Sequence, residues 1–304
     1  MSKKIIWHPF QMKYKKIIPH LQKIKEQGFN FIQISPIQPC KEGNMWWSVY
    51  QIFDFSIGNK YGTKEDLIEL CSESKKYGIK IIVDVVTNHV ASSNDNSMVV
   101  NEKVNKKLAD NPYFWKERRN IQNWDNREEV ISLCMGLPTF SLDNYDLQDI
   151  IIKFLNELVD CGVGGFRFDC AKNVELPEEG SNFWIRVING IKNKDELFNY
   201  AEIIFSPKEL IDKYCKYINV ATNSYGSDKS KLVTYVYNHD SILEFKCTNN
   251  MSDDMFMNEW EVLLQNFDNV LFYVKPIGDS NIPVDDIQFS DLWMNDRIRY
   301  INNK

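Results

Sequence analysis

Eight short apolar runs punctuate this sequence, at residues 5–7, 29–34, 79–86, 163–168, 197–203, 217–220, 232–236 and 270–274. Several lack the in–out alternation of a half-exposed sheet, as expected of strands covered on both faces. Amphipathic helical patterns lie between them. Ile17, Ile18, Leu21 and Ile24 share a helical face ahead of Gly28, and Thr63 with Asp66 forms a capping-box pattern whose helix closes at Gly78. Leu147, Ile150, Ile151, Phe154, Leu155, Leu158 and Val159 make a stripe suited to packing on a sheet. Strand–helix alternation implies a parallel sheet, and eight strands predict an α/β fold of the (β/α)8 type, a TIM barrel. The rival is a doubly wound open sheet, but its glycine-rich phosphate loop is missing. The one candidate, "GVGGF" (162–166), runs into a strand rather than from a strand into a helix. Residues 90–138, rich in Asn, Asp, Lys and Glu, are too long for a simple loop. They predict a small excursion inserted after the third strand, with the barrel formed by 1–89 and 139–304.

Charge and cysteine usage narrow the partners. The net charge is −6 and no basic stripe appears, which argues against a phosphate backbone as ligand and for a neutral one. No run approaches the 18 or so apolar residues of a membrane span. The first residues, "MSKKIIWHPFQMKYKK", lack the apolar core and small-residue cleavage site of a signal peptide. Seven scattered cysteines, an odd number with no C-x-x-C pair, argue against a zinc or redox site and suit reduced thiols in a cytoplasm.

Polar residues collect where the predicted strands end, which in a barrel of this kind is where chemistry sits. The third strand ends in Asp84, Asn88 and His89, the fourth in Arg167 and Asp169. Glu202 lies on the fifth, and His239 with Asp240 follows the seventh. Two of the four histidines fall at these ends. Taken singly, each is as well explained by a helix cap or a satisfied loop; four in order on one rim are not. Clustering Asp169, Glu202 and Asp240 raises the pKa of one acid and leaves another ionised. A glycosidase needs that division, one carboxylate attacking while a neutral acid protonates the leaving oxygen. Trp46, Trp47 and Tyr50, in the loop after the second strand, either plug the barrel rim or offer flat faces to sugar rings.

With these residues in view, the sequence resembles the α-amylase family, glycoside hydrolase family thirteen. The motifs "DVVTNH" (84–89), "GFRFDCAKN" (165–173), "AEII" (201–204) and "YNHD" (237–240) resemble its four signature regions, and "LPTF" (137–140) resembles a fifth. "WWSVYQ" (46–51) and "YGTKEDL" (61–67) are similar to a loop of animal and bacterial α-amylases. The resemblance implies a retaining hydrolase of α-1,4 bonds in starch, glycogen or maltodextrins. Asp169 would be the nucleophile, held ionised and oriented by Arg167, and Glu202 the acid and then base. Asp240, His89 and His239 would grip the reacting sugar, with Tyr50 stacked beneath it. Trp46, Trp47 and Gln51 would line the groove, Lys172 would reach the aglycone side, and Asp84 would support Arg167 from behind.

The resemblance also implies a structural calcium joining the excursion to the barrel, with Asn88 and the carbonyl near Asn173 as ligands. Thr139 stands where the family places an aspartate, and losing that charge weakens the site. Asn173 replaces a common histidine and Ala201 a frequent glycine. Cys170, next to the nucleophile, is either an exposed, oxidisable thiol or a buried, inert one. The family's C-terminal β-sandwich is not expected here: the polar stretch "GDSNIPVDD" (278–286) leads only to a shortened closing helix. Two other functions stay open, a transglycosylase of the same family and a non-catalytic glucan-binding protein.

Overall fold

The computed structural model describes residues 3–94, 97–223, 226–244, 251–277 and 283–304. Cys247 and residues 278–282 of the polar stretch lie outside them. Eight parallel strands close a barrel: β1 (Lys4–His8), β2 (Phe31–Ile34), β3 (Lys80–Val85), β6 (Gly165–Phe168), β7 (Tyr200–Glu202), β8 (Asn219–Ala221), β9 (Leu232–Thr234) and β10 (Asn269–Tyr273). β4 (Glu117–Asn120) and β5 (Leu133–Cys134) pair outside the barrel. Each of the eight predicted runs contains or overlaps a barrel strand. Closure runs through β1 and β10, in register from Lys4 opposite Asn269 to His8 opposite Tyr273.

Between β6 and β7 the approach is close enough to explain a residue. A Cβ on Gly165 would lie 2.1 Å from the Phe198 carbonyl oxygen, so only glycine fits there. The helix Lys64–Lys76 begins at the predicted box: the Asp66 amide donates to Thr63 Oγ1 at 3.2 Å and the Thr63 amide to Asp66 Oδ2 at 3.0 Å. It ends ahead of Gly78, whose φ of +68° suits glycine. The helix Tyr145–Asp160 buries Leu147, Ile151, Phe154, Leu155 and Leu158, with Ile150 and Val159 half-buried at the margin of the stripe. The first predicted helix is broken in two. Pro19 sits in a 3-10 turn, Ile18–His20, between Tyr14–Ile17 and Leu21–Glu26, because proline lacks the amide a continuous helix needs.

Residues 90–138 hold no barrel strand. They carry β4, β5 and the short helix Arg127–Ser132 around a small cluster of Ile121, Val130 and Leu133. An antiparallel bridge between His89 and Thr139 joins the two ends of this segment. The last helix, Asp296–Asn302, buries Ile298 and Ile301, and Asn302 is fixed between the Gln27 carbonyl and the Trp260 indole at 2.8 and 2.9 Å.

Candidate active site

Asp84 and Arg167 are register partners on β3 and β6, which places the two side chains together before any loop is considered. Arg167 Nη1 donates to both oxygens of Asp84 at 2.7 Å and to Asp169 Oδ1 at 2.9 Å. Its Nη2 donates to Glu202 Oε1 at the end of β7. One buried guanidinium therefore orients three buried carboxylates. The turn after β6 supplies a further donor. Cys170 has a left-handed backbone (φ 49°) and its amide donates to Glu202 Oε2 at 3.1 Å. Asp240 opens a short π-helical turn, steadied by Asn238, whose side-chain amide reaches Asp240 Oδ2 at 3.2 Å.

Above this cluster lies a cavity of about 550 Å³. Trp46, Trp47, Tyr50, Gln51 and His89 line it together with Asp169, Cys170, Glu202, His239 and Asp240. Met135, Gly136 and Leu137 close it from the excursion. The tryptophans are half-buried and line this space, and Trp46 also packs edge-on against Phe10, Tyr50 and His239. Tyr50 is buried, stacked on His239 with ring centres 5.6 Å apart, and its hydroxyl lies 3.1 Å from Asp84 Oδ2 and 3.0 Å from His239 Nε2.

Lys172 is not in this cavity. It lies with Trp124 and Arg127 along a second one of about 570 Å³, its ammonium 4.9 Å from the Trp124 ring centre. Asn88 is buried below the site: its side-chain amide meets Met135 Sδ at 3.4 Å, and its Oδ1 has no partner among the described residues.

Burial dominates the electrostatics. It pushes Asp169 up to about 8, against the pull of Arg167 and with help from Glu202 and Asp84. Asp84 rises to about 6 for the same first reason. Arg167, which the resemblance implies holds Asp169 ionised, does favour its charged form, but the effect of burial is the larger. Asp240 is raised well above the ordinary carboxyl range by burial and by the nearby Glu202. His89, lowered to about 4 by burial, is neutral. Its Nε2 meets the Tyr50 carbonyl at 2.9 Å, and Nδ1 has no partner among the described residues. Ligand atoms of His89, Asp169 and Cys170 lie within 4.8 Å of one another, the one such trio found among the described residues.

Phe10 escaped the sequence reading. It stacks on His239 at 4.5 Å and lies just past the end of β1, so applying the strand-end rule to the first strand would have found it. The Cys170 amide had no such signal, since its role depends on a backbone angle.

The family model for the α-amylase catalytic domain matches residues 13–275. An α-amylase of Clostridium acetobutylicum is 29% identical over 90% of this chain and 40% of that protein. One from Butyrivibrio fibrisolvens is 25% identical over 90% and 35%. The chain thus spans less than half the length of these curated relatives. Among solved structures, α-amylase I of Eisenia fetida superposes with a TM-score of 0.81 at 15% identity, covering 98% of this chain and 77% of that one. The Geobacillus thermoleovorans α-amylase complexed with acarbose gives 0.77 at 17%, covering 99% and 77%. With a matched family model running through most of the barrel, and the signature residues gathered on its rim, this chain belongs to the α-amylase family.

Proposed function

We propose that the chain hydrolyses α-1,4-glucosidic bonds of starch, glycogen or maltodextrins with retention of configuration. The observation that carries this reading is the convergence of Asp169, Glu202 and Asp240 in an aromatic-lined cavity, with one guanidinium beneath them. In the first step Asp169 attacks in its ionised form: one carboxylate oxygen forms a bond to the anomeric carbon as the bond to the leaving oxygen breaks. Glu202 gives that oxygen its proton. In the second, a water loses a proton to Glu202, its oxygen bonds to the anomeric carbon, and Asp169 leaves as carboxylate. Tyr50, on the cavity wall, offers its face to the reacting ring, and Trp46 and Trp47 offer theirs to its neighbours.

Reducing-sugar release from soluble starch tests the proposal. Asp169→Asn and Glu202→Gln should each lower the native rate by roughly 10³-fold or more. A folded native chain no faster than its variants would overturn hydrolysis and leave glucan binding. Oligosaccharides longer than the substrate would instead identify transfer to sugar.

A further inference from the structure

The catalytic loop turns three successive carbonyls, those of Lys172, Asn173 and Val174, toward the inserted segment. Two cations of that segment meet them. Lys116 Nζ donates to the Asn173 carbonyl at 2.7 Å. Arg127 donates through Nη1 to the Lys172 carbonyl and through Nη2 to that of Val174 at 3.2 Å. Arg127 is itself held by both oxygens of Glu179 at 2.7 Å. The Lys116 side chain is only 3% exposed, with the Glu175 carboxylate 4.0 Å away. Its own backbone amide donates to the Thr139 carbonyl at 2.9 Å.

Two of these residues are the ones the family resemblance connects with calcium. The Asn173 carbonyl, an expected ligand, is taken by an ammonium. Thr139 brings no carboxylate, and its hydroxyl is spent on the Leu137 carbonyl at 2.9 Å. What remains among the described residues is the neutral, unpartnered Oδ1 of Asn88 and one oxygen of Glu175, a carboxylate already set 4.0 Å from the Lys116 ammonium. Calcium needs six to eight oxygens, several of them anionic. An ion bound at the Asn173 carbonyl would also stand within about 5 Å of the Lys116 ammonium, and like charges that close repel strongly in a buried setting. The residues present do not fit the ion.

We propose that Lys116, with Arg127 beside it, replaces the family's structural calcium. Their ammonium and guanidinium groups donate directly to the three carbonyls, with Glu175 and Glu179 as counter-charges, and the excursion docks on the catalytic loop without metal. The consequence reaches the active site, because the clasped carbonyls begin two residues after Cys170, whose amide holds Glu202.

Thermal unfolding tests this without reference to activity, so its outcome is independent of the hydrolase reading. The native chain should unfold at the same temperature in excess chelator and in saturating calcium, with magnesium as the ionic-strength control. Lys116→Met should lower the midpoint by about 5–10 °C, the loss expected on removing one partner of a buried charged contact. Combining Lys116→Met with Thr139→Asp should create a midpoint that rises with calcium. A native midpoint that rises specifically with calcium would overturn the proposal, and that measurement does not depend on any variant folding. So would a Lys116→Met midpoint equal to the native one. A double variant indifferent to calcium would count against the two cations sharing one position.

Discussion

Cys170 shows how position and reactivity come apart. Its side chain lines the catalytic cavity, yet burial, then Asp169 and Glu202, push its thiol well above the ordinary range. The thiolate is the reactive form, so accessibility here does not bring reactivity. Under native conditions at pH 8, iodoacetamide should label Cys170 at least about 10-fold more slowly than an unperturbed thiol, a gap peptide mass spectrometry would measure. Labelling as fast as in the unfolded chain would show that the acids beside it do not act on it. The same distinction governs what the sequence disclosed of the site. Asp84, Arg167, Asp169 and Glu202 were legible because each stands at or next to a strand end, and strand ends converge; His239 and Asp240 were legible from the loop that follows β9. Which acid of the cluster is raised was not legible: a sequence displays the neighbouring arginine but not how deeply Asp169 is buried beside it. Lys116 was missed for a related reason, since a lone lysine in a polar excursion reads as solvated surface until the carbonyl it faces is known.

Strands were read more surely than helices in this chain, and the reason is the barrel. A strand buried on both faces is a continuous apolar run, and nothing else here competes for that pattern. The first helix failed at Pro19, where hydrophobic spacing continued through a residue that cannot complete the hydrogen-bond ladder. Ile150 and Val159 satisfied the helical period but fall at the edge of the buried face. Gly165 was quoted within a motif without its cause being visible, because the contact that demands it comes from Phe198, far along the chain. Gly165→Ala would drive a methyl into a backbone carbonyl, where no rotamer change gives relief. We expect a loss of about 3 kcal/mol or more, seen as a lowered urea midpoint or as insoluble protein. A variant with the native midpoint would mean that β6 and β7 part without cost.

For the molecule as a whole, the buried site carries a stability cost with a pH signature. A group whose folded pKa lies above its unfolded one keeps protons that the unfolded chain releases, so stability falls as pH rises between the two values. Asp84 does this from 3.8 to about 6, and Asp169 from 3.8 to about 8. The buried histidines act in the opposite sense and at lower pH. His89, lowered from 6.5 to about 4, and His8, lowered to about 3, cost stability only as pH falls below 6.5, where the unfolded chain takes up protons. His239 is lowered too, by burial and by Arg167. Below 6.5 the acids and histidines therefore oppose one another. Above it the histidines are silent and Asp84 has finished, leaving Asp169 and Asp240. Native stability should decline between pH 6.5 and 8, and Asp169→Asn should flatten that decline. The variant keeps an oxygen for Arg167 to bond and loses the buried charge. At pH 8 it should therefore be more stable by roughly 1–3 kcal/mol, or about 3–10 °C in midpoint, while inactive. Denaturant titrations of both proteins across this window decide the point. A decline equally steep in the variant would move the titrating proton from Asp169 to its neighbours, whereas a flattened one would show that the acid proposed to attack the sugar is also the one the fold is strained to hold.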